Sequence, residues 1–202
     1  MPEEPSKTPS PSENRAIPGL FKILLPVIIL IGLVVGALTM VKSQVTSKEN
    51  GGAENIRFVL KTGSTLPDFE LQQFQGKSQK ASELGAKVLL VNFWATWCEA
   101  CMVEMPSIIK LRQTYHSRGF EVAAVNVDQN PEAVVPRTVS KLGFDFPVYV
   151  DQGQKLSELF DIEAIPLTVL MDQNRKILMV ENGERDWFGS DIRSELEHWL
   201  AQ

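Results

Sequence analysis

The chain has two cysteines, and they stand three positions apart in Cys98-Glu99-Ala100-Cys101. A pair this close can be a redox-active dithiol, part of a metal site, or two small apolar residues packed where they fall. The flanking sequence bears on which. Val88 to Trp94 is an almost continuous apolar run, the pattern of a central strand covered on both faces. Met102, Met105, Ile108, Ile109, Leu111 and Tyr115 then recur at helical spacing. A strand ending and a helix beginning here put Cys98 at the helix N-terminus and Cys101 one turn inside. Unpaired N–H groups and the helix dipole favour negative charge at that end, so Cys98 is expected to be the exposed, more readily ionised nucleophile and Cys101 the shielded partner. In exchange, the Cys98 thiolate attacks a substrate disulfide and Cys101 resolves the mixed disulfide, which leaves the pair oxidised. The cycle needs an outside source of electrons.

Zinc would need two further ligands, and the two histidines are His116, at the far end of the helix, and His198, in the last element. No metal and no cofactor is expected, although thiolates alone do not distinguish a copper role.

The elements around this centre alternate. Arg57 to Leu60 and Phe69 to Phe74 read as short strands with a turn at Leu66-Pro67-Asp68 and Gly76 closing a hairpin. Phe120 to Val127 is a second buried strand. Pro131 to Leu142 forms a helix that starts on Pro131 and stops at Gly143. Phe146 to Val150 is a third strand and Lys155 to Phe160 a short helix. Leu167 to Met171 and Lys176 to Glu181 make a hairpin around Asp172-Gln173-Asn174-Arg175, and Ile192 to Leu200 closes the chain as an amphipathic helix. This order predicts an α/β layer fold with a mixed sheet. Trp187 and Trp199 read as core residues, and Glu181, Glu184, Asp186, Asp191, Glu195 and Glu197 as solvated acids.

Ahead of this domain, assigned to residues 56–202, lie three different compositions. Residues 1–19 carry five prolines and almost nothing large and apolar, and are expected to be a disordered cytoplasmic N-terminus. Residues 20–41 contain a run of nineteen uncharged residues from Ile23 to Val41, nearly enough helix to cross a hydrocarbon core of roughly 30 Å. A single transmembrane anchor is predicted rather than a cleaved signal, whose apolar core is shorter. Lys7, Arg15 and Lys22 before the span against Lys42 and Lys48 after it place the domain outside the cytoplasm. Residues 42–55 read as a flexible tether. A net charge of −5, with no Lys/Arg cluster, argues against nucleic acid as a partner.

Trp94-Ala95-Thr96-Trp97-Cys98-Glu99-Ala100-Cys101 behind its apolar strand resembles the thioredoxin superfamily, and specifically the TlpA/ResA-like membrane-anchored reductases. The resemblance runs from about Gly63 to the C-terminus and includes Gly63-Ser64-Thr65-Leu66-Pro67-Asp68-Phe69, Val122 to Asp128, and Ile165-Pro166-Leu167-Thr168-Val169-Leu170-Met171-Asp172. It implies a thioredoxin-like fold with an added N-terminal hairpin and a cis Ile165–Pro166 bond. It further implies reduction of disulfides in exported proteins such as apocytochrome c, and a membrane protein that returns electrons to the pair. Trp97, Ile165 and Pro166 would contact the substrate chain, which could pair along the Ile165 backbone.

Glu104, one turn after Cys101, falls where that family places a glutamate that modulates the cysteines. If partly buried, it would have a raised pKa and could take the proton of Cys101; otherwise it is a solvated helix charge. Asn92 stands where ordinary thioredoxins carry a buried aspartate and Ala124 where they carry its lysine partner. Ala100 replaces the proline common before the second cysteine. Glu99 should disfavour the Cys98 thiolate, which points to a reducing pair. A tethered binding module or holdase without redox turnover is the alternative, and a peroxidase of the peroxiredoxin type fits less well, because its Pro- and Thr-containing cysteine loop is absent.

Overall fold

The computed structural model describes Leu30, Leu33, Val34, Phe58 and residues 60–202. The chain divides into two units, Met1–Glu54 and Asn55–Gln202. In the first, Leu30, Leu33 and Val34 are helical and exposed. Otherwise the expected N-terminus, span and tether lie outside the described residues, and among those described no helix is long and apolar enough to cross a membrane.

In the second unit, seven strands form one mixed sheet: β1 Glu70–Gln73, β2 Ser78–Lys80, β3 Val88–Trp94, β4 Phe120–Asn126, β5 Val148–Val150, β6 Leu167–Asp172 and β7 Ile177–Asn182, in the order β2-β1-β5-β4-β3-β6-β7. The helices are α1 Glu99–Tyr115, α2 Pro131–Leu142, α3 Lys155–Leu159 and α4 Ser190–Leu200. Strand β3 lies between β4, to which it is parallel, and β6, to which it is antiparallel. All seven of its residues are buried, as its sequence requires of a central strand.

Alternation along β3 divides the core. Leu89, Val91 and Phe93 face one layer, with Leu66, Phe69, Leu71, Tyr149 and Phe160. Val88, Leu90 and Trp94 face the other, which contains Met105, Ile108 and Leu111 of α1 and Ile192, Leu196 and Leu200 of α4. Residue 92 shares the second face, so an amide is carried into the layer beneath α1. Thr168 is its register partner on β6 and Ala124 its partner on β4. Gly119, at φ 99°, ends the short 3₁₀ turn His116–Arg118 after α1, and its carbonyl accepts the Lys87 and Val88 N–H groups at the entrance to β3.

One expected pairing differs. The two described residues of the 57–60 segment, Phe58 and Leu60, lie in no strand, and β1 pairs instead with Ser78–Lys80. Gln79 and Lys80 do not read as strand residues. They are held because β1 is itself anchored antiparallel to β5 and offers its free edge. The third predicted strand begins at Val148 rather than Phe146; Phe146 joins the core and packs against Phe144.

Candidate active site

The turn from β3 into α1 is made by Ala95 to Cys98. Cys98 is the N-cap of α1, with extended backbone, and its Sγ accepts the Cys101 N–H at 3.2 Å. The first cysteine thus sits where free helix N–H groups converge. Cys98 and Cys101 are joined in a disulfide with Cα atoms 5.3 Å apart. Cys101 has no exposed surface and Cys98 keeps 7%. The order of accessibility is as the sequence suggested, but the bare Cys98 expected there is corrected to a nearly covered one. Its sulfur is tied back to Cys101 by the disulfide and by the Cys101 N–H. Trp97 is 71% exposed and stands beside the pair in sequence.

The loop is fixed from behind by the end of β4. Asp128 accepts the Thr96 N–H and hydroxyl, both at 2.9 Å, and the Asn126 side-chain amide at 2.7 Å. The Val127 N–H donates to the Trp94 carbonyl at 2.9 Å.

Glu104 is buried, with 2% exposure. Asn92 Nδ2 donates to its Oε1 at 2.7 Å and also to Thr168 Oγ1 at 2.9 Å. Trp187 Nε1 and the Arg185 N–H donate to its Oε2 at 3.0 and 3.3 Å. Burial pushes the carboxyl above the ordinary carboxylate range and the Glu184 charge pushes the same way, while the Trp187, Asn92 and Arg185 donors pull it back without reversing the shift. The solvated-charge reading of Glu104 is therefore set aside. A carboxyl that holds its proton more tightly than usual lies one turn from Cys101 on the same helix, where it is placed for proton transfer with that thiol.

The Ile165–Pro166 bond is cis. Pro166 is buried, and it precedes the β6 ladder in which Leu167 faces Phe93. Ile165 and Pro166 thus lie at the end of the sheet from which the cysteine loop emerges. Among the described residues, no group of three or more His, Cys, Asp or Glu side chains is placed to hold a metal ion.

Sequence reasoning missed the partners of Glu104. Trp187 is a core residue as expected, but its indole N–H also serves the carboxylate. The available signal was that a buried indole needs an acceptor. Glu181 and Asp191, read as solvated acids, both pair with the Arg185 guanidinium, the second at 2.6 Å. The Asp128 clamp also went unread, since nothing in the sequence tells a strand-end aspartate that caps a loop from one in water.

The redoxin family profile matches residues 61–196. The thiol-disulfide oxidoreductase ResA of Geobacillus thermodenitrificans is 33% identical over 135 residues, which cover 67% of this chain and 76% of that one. The protein of the same description from Bacillus subtilis is 34% identical over 121 residues, covering 60% and 67%. A crystal structure described as a DsbE thiol:disulfide interchange protein from Chlorobium tepidum superposes with a TM-score of 0.62 at 28% identity, over 70% of this chain and 99% of that one.

Proposed function

The chain belongs to the redoxin family, with the thioredoxin-like fold and thiol-disulfide oxidoreductase character of the ResA-like proteins, and from that premise we propose that it is a membrane-anchored reductase of disulfides in exported proteins, with apocytochrome c as the client. In this reading Cys98 is the nucleophile, Cys101 the resolving thiol and Glu104 its base. The Cys98 thiolate attacks one sulfur of the client disulfide, the client S–S bond breaks and a mixed disulfide forms. Cys101 gives its proton to Glu104 and attacks Cys98 Sγ. The Cys98–client bond breaks, the client leaves with two electrons gained, and Cys98–Cys101 is oxidised by two. A membrane electron-donor protein returns the pair to the dithiol.

The observation that carries this reading is the pairing of the helix N-cap sulfur Cys98 with Cys101 in bonding reach, one turn from the buried Glu104. Trp97, Ile165 and Pro166 are the proposed client contacts, the first because it is a large apolar side chain left in solvent beside the pair. The proposed location is the outer face of the cytoplasmic membrane, held by residues 20–41. That placement is supported by the uncharged run from Ile23 to Val41.

The test is Cys101→Ala mixed with an oxidised apocytochrome c peptide. A stable mixed disulfide through Cys98 is expected, absent in Cys98→Ala. A protein that binds the peptide without forming that adduct would be a holdase and not a reductase. The Glu99 carboxylate beside Cys98 supports a reducing pair, and a midpoint near about −120 mV, the range of strong oxidants, would contradict it.

A further inference from the structure

The Glu104 carboxyl is held from two sides by elements remote in sequence. From the sheet come Asn92 on β3 and, behind it, Thr168 on β6. From the connection between β7 and α4 come the Arg185 N–H and the Trp187 indole. Trp187 is fully buried, and its backbone N–H donates to Ser107 Oγ at 2.9 Å, while that hydroxyl donates to the Glu104 carbonyl at 2.7 Å. Backbone and side chain of Trp187 are therefore both fastened to the turn of α1 that carries Glu104. The connection itself is braced where the Arg185 guanidinium pairs with Glu181 and Asp191.

We propose that Trp187 is a positioning residue of the redox centre, whose indole N–H fixes the direction of the Glu104 carboxyl and how tightly it holds a proton. The assignment rests on Glu104 being the base of the reaction above. The charges that bear on it are few. Cys101 lies on its own helix, Glu184 on the β7–α4 connection acts against ionisation, and the Arg185 guanidinium in that connection is committed to Glu181 and Asp191. The sheet presents the neutral Asn92 and Thr168. With its donors neutral, the indole is one of the three groups that favour the carboxylate over the acid, and removing it weakens the charged form selectively.

Trp187→Phe keeps an aromatic ring in the core and deletes the N–H. A hydrogen bond to a charged acceptor corresponds to about a tenfold change in proton affinity, so Glu104 in this variant should hold its proton about tenfold more tightly. The experiment is the pH profile of mixed-disulfide resolution with a disulfide-bonded model peptide, together with an infrared titration of the Glu104 carboxyl stretch. Both should move to higher pH in Trp187→Phe. They should move the same way, by less, in Ser107→Ala, which loosens the indole and leaves the core filled. Glu104→Gln separates the two claims. If its profile keeps the limb assigned to Glu104, the base has been misidentified and the reaction above fails. If the limb disappears there but is unmoved in both Trp187→Phe and Ser107→Ala, with only thermal stability lowered, Trp187 is a packing residue and this proposal is overturned.

Discussion

Replacing Glu104 by Gln should make the protein more stable than the parent at neutral pH, by an amount that depends on pH in a defined way. Burial raises the folded-state proton affinity of Glu104 above its ordinary value of 4.5. Below that ordinary value, folded and unfolded chains are both protonated and the group is neutral in its effect. Between the ordinary and folded values, the unfolded chain releases the proton and the folded one does not. Parent stability then falls by about 1.4 kcal/mol for each pH unit, and above the folded value the fall stops. Glutamine has no proton to lose, so its curve lacks that component.

The substitution can be accommodated by the partners already there. The Gln carbonyl can take the place of Oε2 and accept from Trp187 Nε1 and the Arg185 N–H. Its amide nitrogen then faces Asn92, whose Oδ1 is buried and without a hydrogen-bond partner among the described residues. Rotating the Asn92 amide turns that oxygen towards the new donor, and the Thr168 hydroxyl reverses from acceptor to donor. The rearrangement should cost no more than about 1 kcal/mol. Urea unfolding of the oxidised protein between about pH 4 and pH 8 measures the difference; the window starts just below the ordinary value of 4.5. The variant should gain on the parent as pH rises and then level off. A difference that is flat with pH, or that turns in favour of the parent, would refute the argument, because it would mean the charged carboxylate is the form the fold prefers. In turnover, the same variant should lose about 10² to 10⁴ in the rate of resolution, the usual contribution of a general base.

Asp128→Ala removes the acceptor of the Thr96 N–H, the Thr96 hydroxyl and the Asn126 amide; a loss of about 2 kcal/mol in denaturant unfolding and faster hydrogen exchange at Thr96 are expected, and an unchanged exchange rate would show that the clamp does not hold the loop. Arg112→Ala leaves Glu121 half-buried without its guanidinium partner, with His116 Nδ1 at 3.2 Å and the Val122 N–H at 2.8 Å still beside it. A loss of about 3 kcal/mol should appear in the same unfolding assay, whereas a loss under about 0.5 kcal/mol would place the pair among surface contacts.

Much of the fold was legible because its elements advertise themselves locally. Val88 to Trp94 could be read as a central strand from its composition, and α2 from a proline at its start and a glycine at its end. The cysteine pair was legible because strand, turn and helix are contiguous in the chain. What could not be read were contacts closed over long separations. Ser78–Lys80 becomes a strand through its neighbour β1, and Trp187 meets Glu104 across 83 residues. A buried tryptophan that packs and one that also donates look alike in sequence. So do an aspartate in water and one that holds a loop.

In the proposed reaction a helix glutamate takes the part of the strand aspartate of ordinary thioredoxins, and the exchange of charge for neutrality at the centre supports that assignment. Asn92 and Ala124 are opposed in the β3–β4 ladder, and both are fully buried. An ionised carboxylate at 92 would need a cation opposite it, and that cation would hold it ionised. Here the carboxyl is carried by α1 three residues beyond Cys101, a rise of about 4.5 Å, and is met by neutral donors. Such donors orient a carboxyl without fixing its charge, so the proton can come and go. Cys101 and Glu104 share one turn of one helix, so their separation does not depend on the loop. Cys98 depends on it, through Thr96 and Asp128. The centre is thus built in two parts: the Cys101 sulfur and the Glu104 carboxyl on one turn of α1, and the Cys98 sulfur at the end of a clamped loop. A change in the clamp should alter how Cys98 meets a client while leaving the exchange of the Cys101 proton with Glu104 in place.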